Sequence, residues 1–366
     1  MGTGKPFIIQ LLTIALAVFA LGDAPARSQG QMPRECRRDL NPFNLFNNPN
    51  FLGSIARCLS DMMPPGDRAI GEKEMDVEPP VLKTSRDMAQ VIFGLYQKLH
   101  PIGIARVWTR SSAGEINRAA PICLVVLSGT EPTVFAQATT LPEDVRAAIL
   151  NTEDDDFFYA IMLALGAAVQ KGYCDRGTRL VFAGHSLGGM EAQNVAAALI
   201  RQSANFYVGN VITFGSPLTA TLPGQVNIQR FTTIGDPIPY TTHFTGTYRE
   251  VRQTVVDDRS GSSRFRAIDE ATRERNAALG WVPNPLEPIP TQAVRAGVLA
   301  KWLTGAVTAH MQYPNVSELQ SYDALGAPIS AGITTSLIID KRRTIGGRTY
   351  GFINVFPAPR LRQAAR

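Results

Sequence analysis

A serine stands among glycines in the segment Gly184-His185-Ser186-Leu187-Gly188-Gly189, which has the pattern Gly-x-Ser-x-Gly. In this pattern the serine sits on a sharp, strained turn between a strand and a helix, so that its hydroxyl projects above a sheet as a nucleophile. Glycines flank it because larger side chains would collide with the strand and the helix. The apolar run 179–183 precedes the motif and a helical pattern follows it. This context favours Ser186 as a nucleophile over a serine in an ordinary glycine turn.

A serine nucleophile needs a base, and the base needs a carboxylate that orients it. Asp236 follows the predicted strand 228–234, at the carboxyl edge of the sheet where a loop carboxylate is expected. Asp257 and Asp258 are competitors, but they precede a loop rich in serine and glycine and follow no predicted strand. The sequence therefore predicts Asp236 as the orienting acid.

Two histidines follow Ser186 in the chain, His243 and His310. His243 lies only seven residues beyond Asp236, whereas His310 lies in a separate loop after a predicted helix and is free to approach from the other side. The spacing favours His310 as the base and leaves His243 open.

Alternating strands and helices must position these side chains. Met88, Val91, Ile92 and Leu95 share one helical face, so a helix is predicted from residue 84. The further predicted elements are strands 104–109 and 122–127, helix 151–172, strand 179–183, helix 187–202, strands 210–214 and 228–234, helices 267–279 and 291–304, and a hairpin within 332–356 that turns at Gly346-Gly347. This alternation indicates an α/β fold with a mostly parallel sheet flanked by helices.

The first 26 residues have the organisation of a secretory signal peptide. One lysine precedes an apolar run over residues 7–21, and Ala24-Pro25-Ala26 offers a cleavage site after Ala26. The alternative is an N-terminal membrane anchor, but the run is shorter than the ~20 residues that a span needs. We therefore expect a secreted or periplasmic protein with no transmembrane helix.

Export gives meaning to the four cysteines, since disulfides persist in oxidising compartments. We predict the pairs Cys36–Cys58 and Cys123–Cys174, because the second pair would join the starts of two neighbouring parallel strands. Free buried thiols are the alternative, and no Cys-x-x-Cys spacing suggests a metal. Residues 27–82 are rich in proline, asparagine and arginine without periodicity, so we expect an irregular extension pinned by the first disulfide.

The composition of the 366 residues is 45% hydrophobic and 18% charged, which excludes a wholly disordered chain. The net charge is +5, and residues 341–366 alone hold seven basic and no acidic residues, so residues 1–340 carry a charge of −2. The basicity is therefore local and gives no reason to expect nucleic acid as a partner. The basic C-terminal segment is either a solvated tail or a surface that contacts an anionic lipid or envelope.

Four motifs together carry a family resemblance: residues 125–130, the motif 184–189, Thr213-Phe214-Gly215-Ser216-Pro217, and Asp236-Pro237-Ile238-Pro239. In order and spacing they resemble the class 3 (fungal-type) lipases across roughly residues 120–313. The sequence departs from the family where Ser128 replaces the usual arginine and where Leu218-Thr219-Ala220 replaces Arg-Val-Gly. The extension at the N-terminus and the hairpin at the C-terminus also lie outside the family's core pattern.

The resemblance implies a minimal α/β-hydrolase fold with Ser186 as nucleophile and Asp236 as acid. His310 resembles the family's late His-x-x-Tyr base, whereas His243 resembles a histidine outside the triad. Thr130 matches the oxyanion residue, and its backbone N–H would act with that of Leu187. Residues 133–142 lie where such lipases place a lid, with a plain surface loop as the alternative.

These predictions describe a carboxylic ester hydrolase of the lipase or phospholipase type, acting on an acyl-ester substrate with no cofactor and no metal. Esterase, thioesterase and acyltransferase activities could use the same triad, and a catalytically silent binding protein is the alternative from another class. The expected organisation is a signal peptide (1–26), the extension (27–82), the hydrolase domain (83–330), and a hairpin with a basic tail (331–366).

Overall fold

The computed structural model describes residues 72–98, 101–129, 155–175, 177–201, 206–217, 222–223, 225–233, 236, 238–239, 253–256, 265–268, 309–330 and 334–356. The strands are β1 Lys73–Val77, β2 Val81–Leu82, β3 Ile102–Arg110, β4 Ile116–Leu127, β5 Arg179–His185, β6 Tyr207–Phe214, β7 Asn227–Thr233, β8 Gln253–Val256, β9 Phe265–Ile268, β10 Ser336–Ile339, β11 Arg342–Ile345 and β12 Arg348–Phe356. The helices are α1 Ser85–Lys98, α2 Asp155–Gln170 and α3 Leu187–Arg201, and two 3₁₀ turns cover Tyr313–Asn315 and Ser317–Ser321.

The strands form one mixed sheet. Nine of them follow the order β1-β12-β3-β4-β5-β6-β7-β8-β9, while β10 pairs with β2 and β3 and β11 pairs with β12. Strands β4 to β8 run parallel to one another, while β1, β12, β3 and β9 pair antiparallel with their neighbours. The carboxyl ends of the parallel strands therefore meet at one edge, which is where ligands bind in sheets of this type.

Side chains along a strand alternate between the two faces of the sheet. The central strands have apolar side chains on both faces, and helices cover each face. Val125 and Phe182 pack into the core that contains α2 and α3. Their neighbours Leu124 and Val181 pack into the opposite core with α1 and the 3₁₀ turns. This is the α/β fold, with a mostly parallel centre flanked by helices, that the sequence predicts.

The start of one predicted helix is wrong. Residues 267 and 268, the first two of the helix predicted over 267–279, belong instead to strand β9, which pairs antiparallel with β8, and residues 269–279 lie outside the described residues. Pairing with a sheet edge outweighs the weak intrinsic helix preference of four residues. The helix predicted over 291–304 lies outside the described residues.

The irregular structure expected for residues 27–82 is wrong at its C-terminal end, where β1 pairs with β12 in full register. In β1 only Met75 and Val77 are buried, and an alternation of two residues is too short to predict a strand. The signal peptide and the pair Cys36–Cys58 lie outside the described residues.

The predicted Cys123–Cys174 disulfide is confirmed. It joins β4 to the segment between α2 and β5, with the two Cα atoms 5.3 Å apart. Strands β4 and β5 are parallel neighbours, with Cys123 opposite Leu180. Because β4 begins at Ile116, the disulfide lies not at the start of β4 but where its parallel pairing with β5 begins, and it joins the two strands there.

The hairpin predicted near the C-terminus is confirmed as β11 and β12, with its turn at Gly346-Gly347. Its basic side chains contact the acidic residues of the β1 region: Lys341 and Arg343 pair with Glu74, and Arg348 lies 3.8 Å from Glu78. Three of the seven basic side chains of residues 341–366 thus have acidic partners within the fold. The tail 357–366 lies outside the described residues, and within them no helix is both long and apolar enough to cross a bilayer.

Candidate active site

Ser186 occupies a strained turn between β5 and α3. Its φ is 55°, and among the described residues it is the one non-glycine with a positive φ. Such a conformation costs energy and persists only where the surroundings impose it. Here the Ser186 N–H donates to the Phe214 carbonyl at 3.0 Å, while the Ser186 carbonyl accepts from the N–H groups of Gly189 and Met190.

The glycines of the motif are required by close backbone contacts. A Cβ on Gly188 would overlap the Ser128 carbonyl oxygen, and one on Gly184 would overlap the Gly188 backbone. The strand, the turn and the end of β4 therefore approach more closely than any side chain permits. This contact brings the segment after β4 against the turn that carries Ser186.

Asp236 and His310 form a buried pair at the same edge of the sheet. The Nδ1 atom of His310 lies 3.0 Å from both carboxylate oxygens of Asp236. Asp236 is fully buried and His310 is 6% exposed. The carboxylate also accepts the Ile238 N–H at 3.0 Å. This geometry fixes the imidazole with Nδ1 toward the acid and leaves Nε2 for other partners.

Tyr313 and Thr233 hold this pair in place. The Tyr313 hydroxyl donates to Asp236 Oδ2 at 2.7 Å and accepts the Thr233 N–H at 3.1 Å. The Thr233 hydroxyl donates to the Ala309 carbonyl at 2.9 Å. Burial, and next the charge of Asp236, raise the pKa of Tyr313 well above its usual value. The phenol therefore remains a proton donor to the carboxylate.

A buried polar network underlies the turn on its other side. The Gln193 amide of α3 donates to the carbonyls of Gly189 and Pro217 and to the Ser216 hydroxyl, at 2.9–3.2 Å. Arg230 of β7 donates to the Gln193 side-chain oxygen at 3.0 Å. The network connects α3 to the loop after β6, and so stabilises the two elements on which Ser186 rests.

His185, the residue before Ser186, is fully buried among groups of the site. Tyr96 of α1 lies 2.7 Å from its Nδ1, and the His310 carbonyl lies 2.8 Å from its Nε2. Burial, and next the proximity of His310, lower the pKa of His185 well below its usual value, so the ring is neutral near pH 7. The centroids of the two imidazole rings are 4.4 Å apart.

Leu187, predicted to supply one oxyanion donor, is the first residue of α3. Because the first N–H groups of a helix have no acceptor within the helix, its N–H is suited to bind developing negative charge. Gly129 lies against the turn: a Cβ there would come within 2.6 Å of the Ser186 Cβ. Thr130, the other predicted donor, follows Gly129 directly and lies outside the described residues.

The structure thus brings Asp236 and His310 into contact and places His310 against the neighbour of Ser186. His243 and the segment 133–142 lie outside the described residues. Among those described, no three His, Cys, Asp or Glu side chains are arranged to hold a metal ion. The sequence patterns gave no site role to Tyr96 or His185, and they included Tyr313 only as the tyrosine of the His-x-x-Tyr motif. Tyr96 lies four residues after Ile92, so the helical spacing already placed it on the buried face of α1.

Comparison with known proteins gives one family match. Residues 159–245 match the family model described as Lipase (class 3). This segment contains Ser186 and Asp236 and ends before His310. No curated protein matches the chain.

Among solved structures, the Lip2 lipase from Yarrowia lipolytica is similar at 13% identity, covering 62% of this chain and 81% of that one, with a TM-score of 0.26. A structural likeness of that size is too weak to support conclusions about the site. The family match does not depend on that likeness, and it contains the strained serine turn and three of the four motifs, at 184–189, 213–217 and 236–239. The resemblance found in the sequence is thereby confirmed over residues 159–245, where the chain is similar to the class 3 lipases, and this match supports a carboxylic ester hydrolase with the α/β-hydrolase fold.

Proposed function

We propose that this protein is an exported hydrolase of lipid acyl esters that uses Ser186 as nucleophile, His310 as base and Asp236 as the acid that orients the base. The observation that carries the proposal is the contact of His310 Nδ1 with both oxygens of the buried Asp236, at 3.0 Å. It lies at the sheet edge that also bears the strained Ser186 turn.

In the proposed reaction, His310 Nε2 accepts the proton of the Ser186 hydroxyl as the serine oxygen bonds to the ester carbonyl carbon. The tetrahedral intermediate then collapses, and the imidazolium gives its proton to the leaving alcohol. A water molecule, deprotonated by the same imidazole, attacks the acyl-enzyme and releases the fatty acid. The carboxylate of Asp236 accepts the hydrogen bond of His310 Nδ1 throughout and stabilises the imidazolium of both steps.

The backbone N–H groups of Leu187 and Thr130 would hold the oxyanion. One such donor contributes about 3–4 kcal/mol to stabilising the transition state. The position of Leu187 at the start of α3 adds the favourable end of the helix dipole. The close packing of Gly129 on Ser186 supports a second donor one residue later.

A fluorophosphonate probe tests the nucleophile directly. We expect wild-type protein to be labelled at Ser186 and Ser186→Ala to be unlabelled, although it still folds. Labelling of the Ser186→Ala protein would contradict the assignment. His310→Ala should lower kcat by at least about 10³-fold, while the matched variant His243→Ala should retain most activity. The reverse result would exchange the two histidines.

The choice of lipid esters is supported by the class 3 lipase match. A panel that crosses acyl length with headgroup, assayed below and above the micellar concentration, tests it against short esters, thioesters and acyl transfer to alcohols. Preference for long-chain esters presented in aggregates is the expected result. A protein that turns over only soluble short esters would be an esterase instead.

Export is supported by the sequence of residues 1–26. Expression of the full chain in a host with a secretory pathway should give mature protein that begins at Arg27, as read by N-terminal sequencing. An exported protein that retains Met1 to Ala26 would show that the segment is an anchor rather than a signal peptide.

A further inference from the structure

A chain of buried hydrogen bonds runs beneath Ser186 and connects parts of the site that are far apart in sequence. The Gly129 N–H donates to the Tyr96 hydroxyl oxygen at 2.6 Å. Tyr96 in turn lies 2.7 Å from His185 Nδ1, and His185 Nε2 lies 2.8 Å from the His310 carbonyl oxygen. Every one of these contacts is buried.

The direction of each bond follows from the chemistry of the groups. A carbonyl oxygen can only accept, so His185 Nε2 carries a proton and donates it to His310. In a neutral imidazole the other nitrogen then accepts, and the Tyr96 hydroxyl donates its proton to Nδ1. The Tyr96 oxygen is left to accept from the Gly129 N–H. The chain therefore has one consistent arrangement of protons.

The two ends of this chain are the two parts of the site that must be held over the nucleophile. Gly129 is packed so closely on the serine turn that a Cβ would come within 2.6 Å of the Ser186 Cβ, and it directly precedes Thr130. The other end is the backbone of His310, the proposed base. Tyr96 and His185 thus connect α1, the end of β4, the end of β5 and the segment at 310.

A neutral ring is required at residue 185. The His185 and His310 ring centroids are 4.4 Å apart, so a charge on His185 would oppose the imidazolium that forms on His310 during the reaction. The Phe93 ring lies 4.6 Å from His185 on another side and keeps its surroundings apolar. Leucine would also be neutral, but it could make neither hydrogen bond.

We propose that Tyr96 and His185 are positioning residues for the reaction, which hold the backbone at Gly129 and at His310 in their reactive places on either side of Ser186. The inference rests on the proposed function of Ser186 and His310. Tyr96 and His185 themselves do not contact the substrate. Their effect is on the geometry in which the oxyanion and the imidazolium develop.

The experiment is Tyr96→Phe, which removes one oxygen and keeps the ring. Its matched control is Tyr322→Phe, another buried tyrosine, whose ring packs on Phe231 and whose hydroxyl forms a hydrogen bond with Thr254 of β8 rather than with a group of the site. For Tyr96→Phe we expect kcat to fall about 10- to 100-fold with KM within about twofold, since a displaced oxyanion donor weakens only the transition state. Affinity for a trifluoromethyl ketone analogue of the substrate should fall by the same factor as kcat. Tyr322→Phe should change neither.

A second pair of variants keeps the test valid if Tyr96→Phe folds poorly. His185→Gln can accept from Tyr96 and donate to the His310 carbonyl, whereas His185→Leu can do neither. We expect His185→Gln to retain more kcat than His185→Leu at equal KM. Equal kcat for wild type, Tyr96→Phe and His185→Leu, with wild type labelled at Ser186, would overturn the inference and leave the proposed function intact. A folded wild type that is neither labelled nor active would overturn both.

Discussion

The Tyr313 hydroxyl donates a 2.7 Å hydrogen bond to Asp236 Oδ2, the carboxylate that also faces His310. Both side chains are fully buried. A carboxylate removed from water needs several donors, and Asp236 has them in Tyr313, His310 and the Ile238 N–H. The tyrosine three residues after His310 is therefore part of what holds this carboxylate in place against His310.

Tyr313→Phe should lower both activity and stability. It leaves a carboxylate oxygen and the Thr233 N–H without this partner in a buried site, at a cost of about 1–3 kcal/mol of unfolding free energy. We expect kcat to fall about tenfold, because the imidazole loses a fixed acceptor. Urea denaturation and steady-state kinetics measure the two effects. Tyr350→Phe, on the hairpin, is the matched control, and equal losses in both variants would contradict the role of Tyr313.

Gly188→Ala should damage the site through backbone displacement. The added methyl would overlap the Ser128 carbonyl oxygen, so either the turn or the end of β4 must move. We expect a loss of about 1–3 kcal/mol in stability and a fall in kcat/KM of about 100-fold. Gly94→Ala, in α1, is the control, because the nearest atom to its methyl would be 3.6 Å away. Alanine in place of glycine in a helix should raise the unfolding free energy by about 0.5–1 kcal/mol. Full activity of Gly188→Ala would show that the close packing is not needed.

Removal of the Cys123–Cys174 disulfide should destabilise the fold. The bond closes a loop with a sequence separation of 51, for which loop entropy predicts a contribution of about 4 kcal/mol. The double variant Cys123→Ala, Cys174→Ala should lose that much in denaturant titration and become insensitive to reductant at that site. If reduced wild type and the double variant match oxidised wild type in stability, the disulfide would have no stabilising role.

His185 should make stability dependent on pH on the acidic side of neutrality. Its pKa is lowered in the folded protein by burial and by His310, whereas in the unfolded chain it is about 6.5. As pH falls below about 6.5 the unfolded state gains a proton that the folded state does not, so the unfolding free energy falls by up to about 1.4 kcal/mol per pH unit. Above that pH the penalty is absent. Urea titrations between pH 5 and pH 7 give the unfolding free energy as a function of pH, and its slope should be steeper for wild type than for His185→Gln. Equal slopes for the two proteins would contradict this prediction.

Many of the strands and helices around Ser186 could be predicted from local sequence. The strand at 179–185 and the helix at 187–201 follow from an apolar run, a glycine motif and a helical pattern. Cys123 and Cys174 could be paired because each lies near the start of a predicted strand, although β4 begins earlier, at Ile116. The catalytic roles of Ser186, Asp236 and His310 stay predictions, now with the Asp236–His310 contact in their support.

Other features could not be predicted, because nothing in their local pattern specifies them. Four residues at 265–268 form a strand only because β8 offers them an edge, and β1 is a strand because β12 lies beside it. Nothing in the sequence indicated that basic side chains of the hairpin pair with Glu74 and Glu78, which lie more than 260 residues earlier in the chain.

The sequence by itself determined where the serine turn lies, that an α/β sheet carries it, and which residues could serve it. Only the tertiary structure decided the partners of His185, which binds Tyr96 across 89 residues and His310 across 125. Spacing along a chain records which side chains share a helix face, a strand face or a turn. Contacts over such distances depend on how the packed sheet brings α1, β5 and the segment at 310 together, and that is set by the whole core at once.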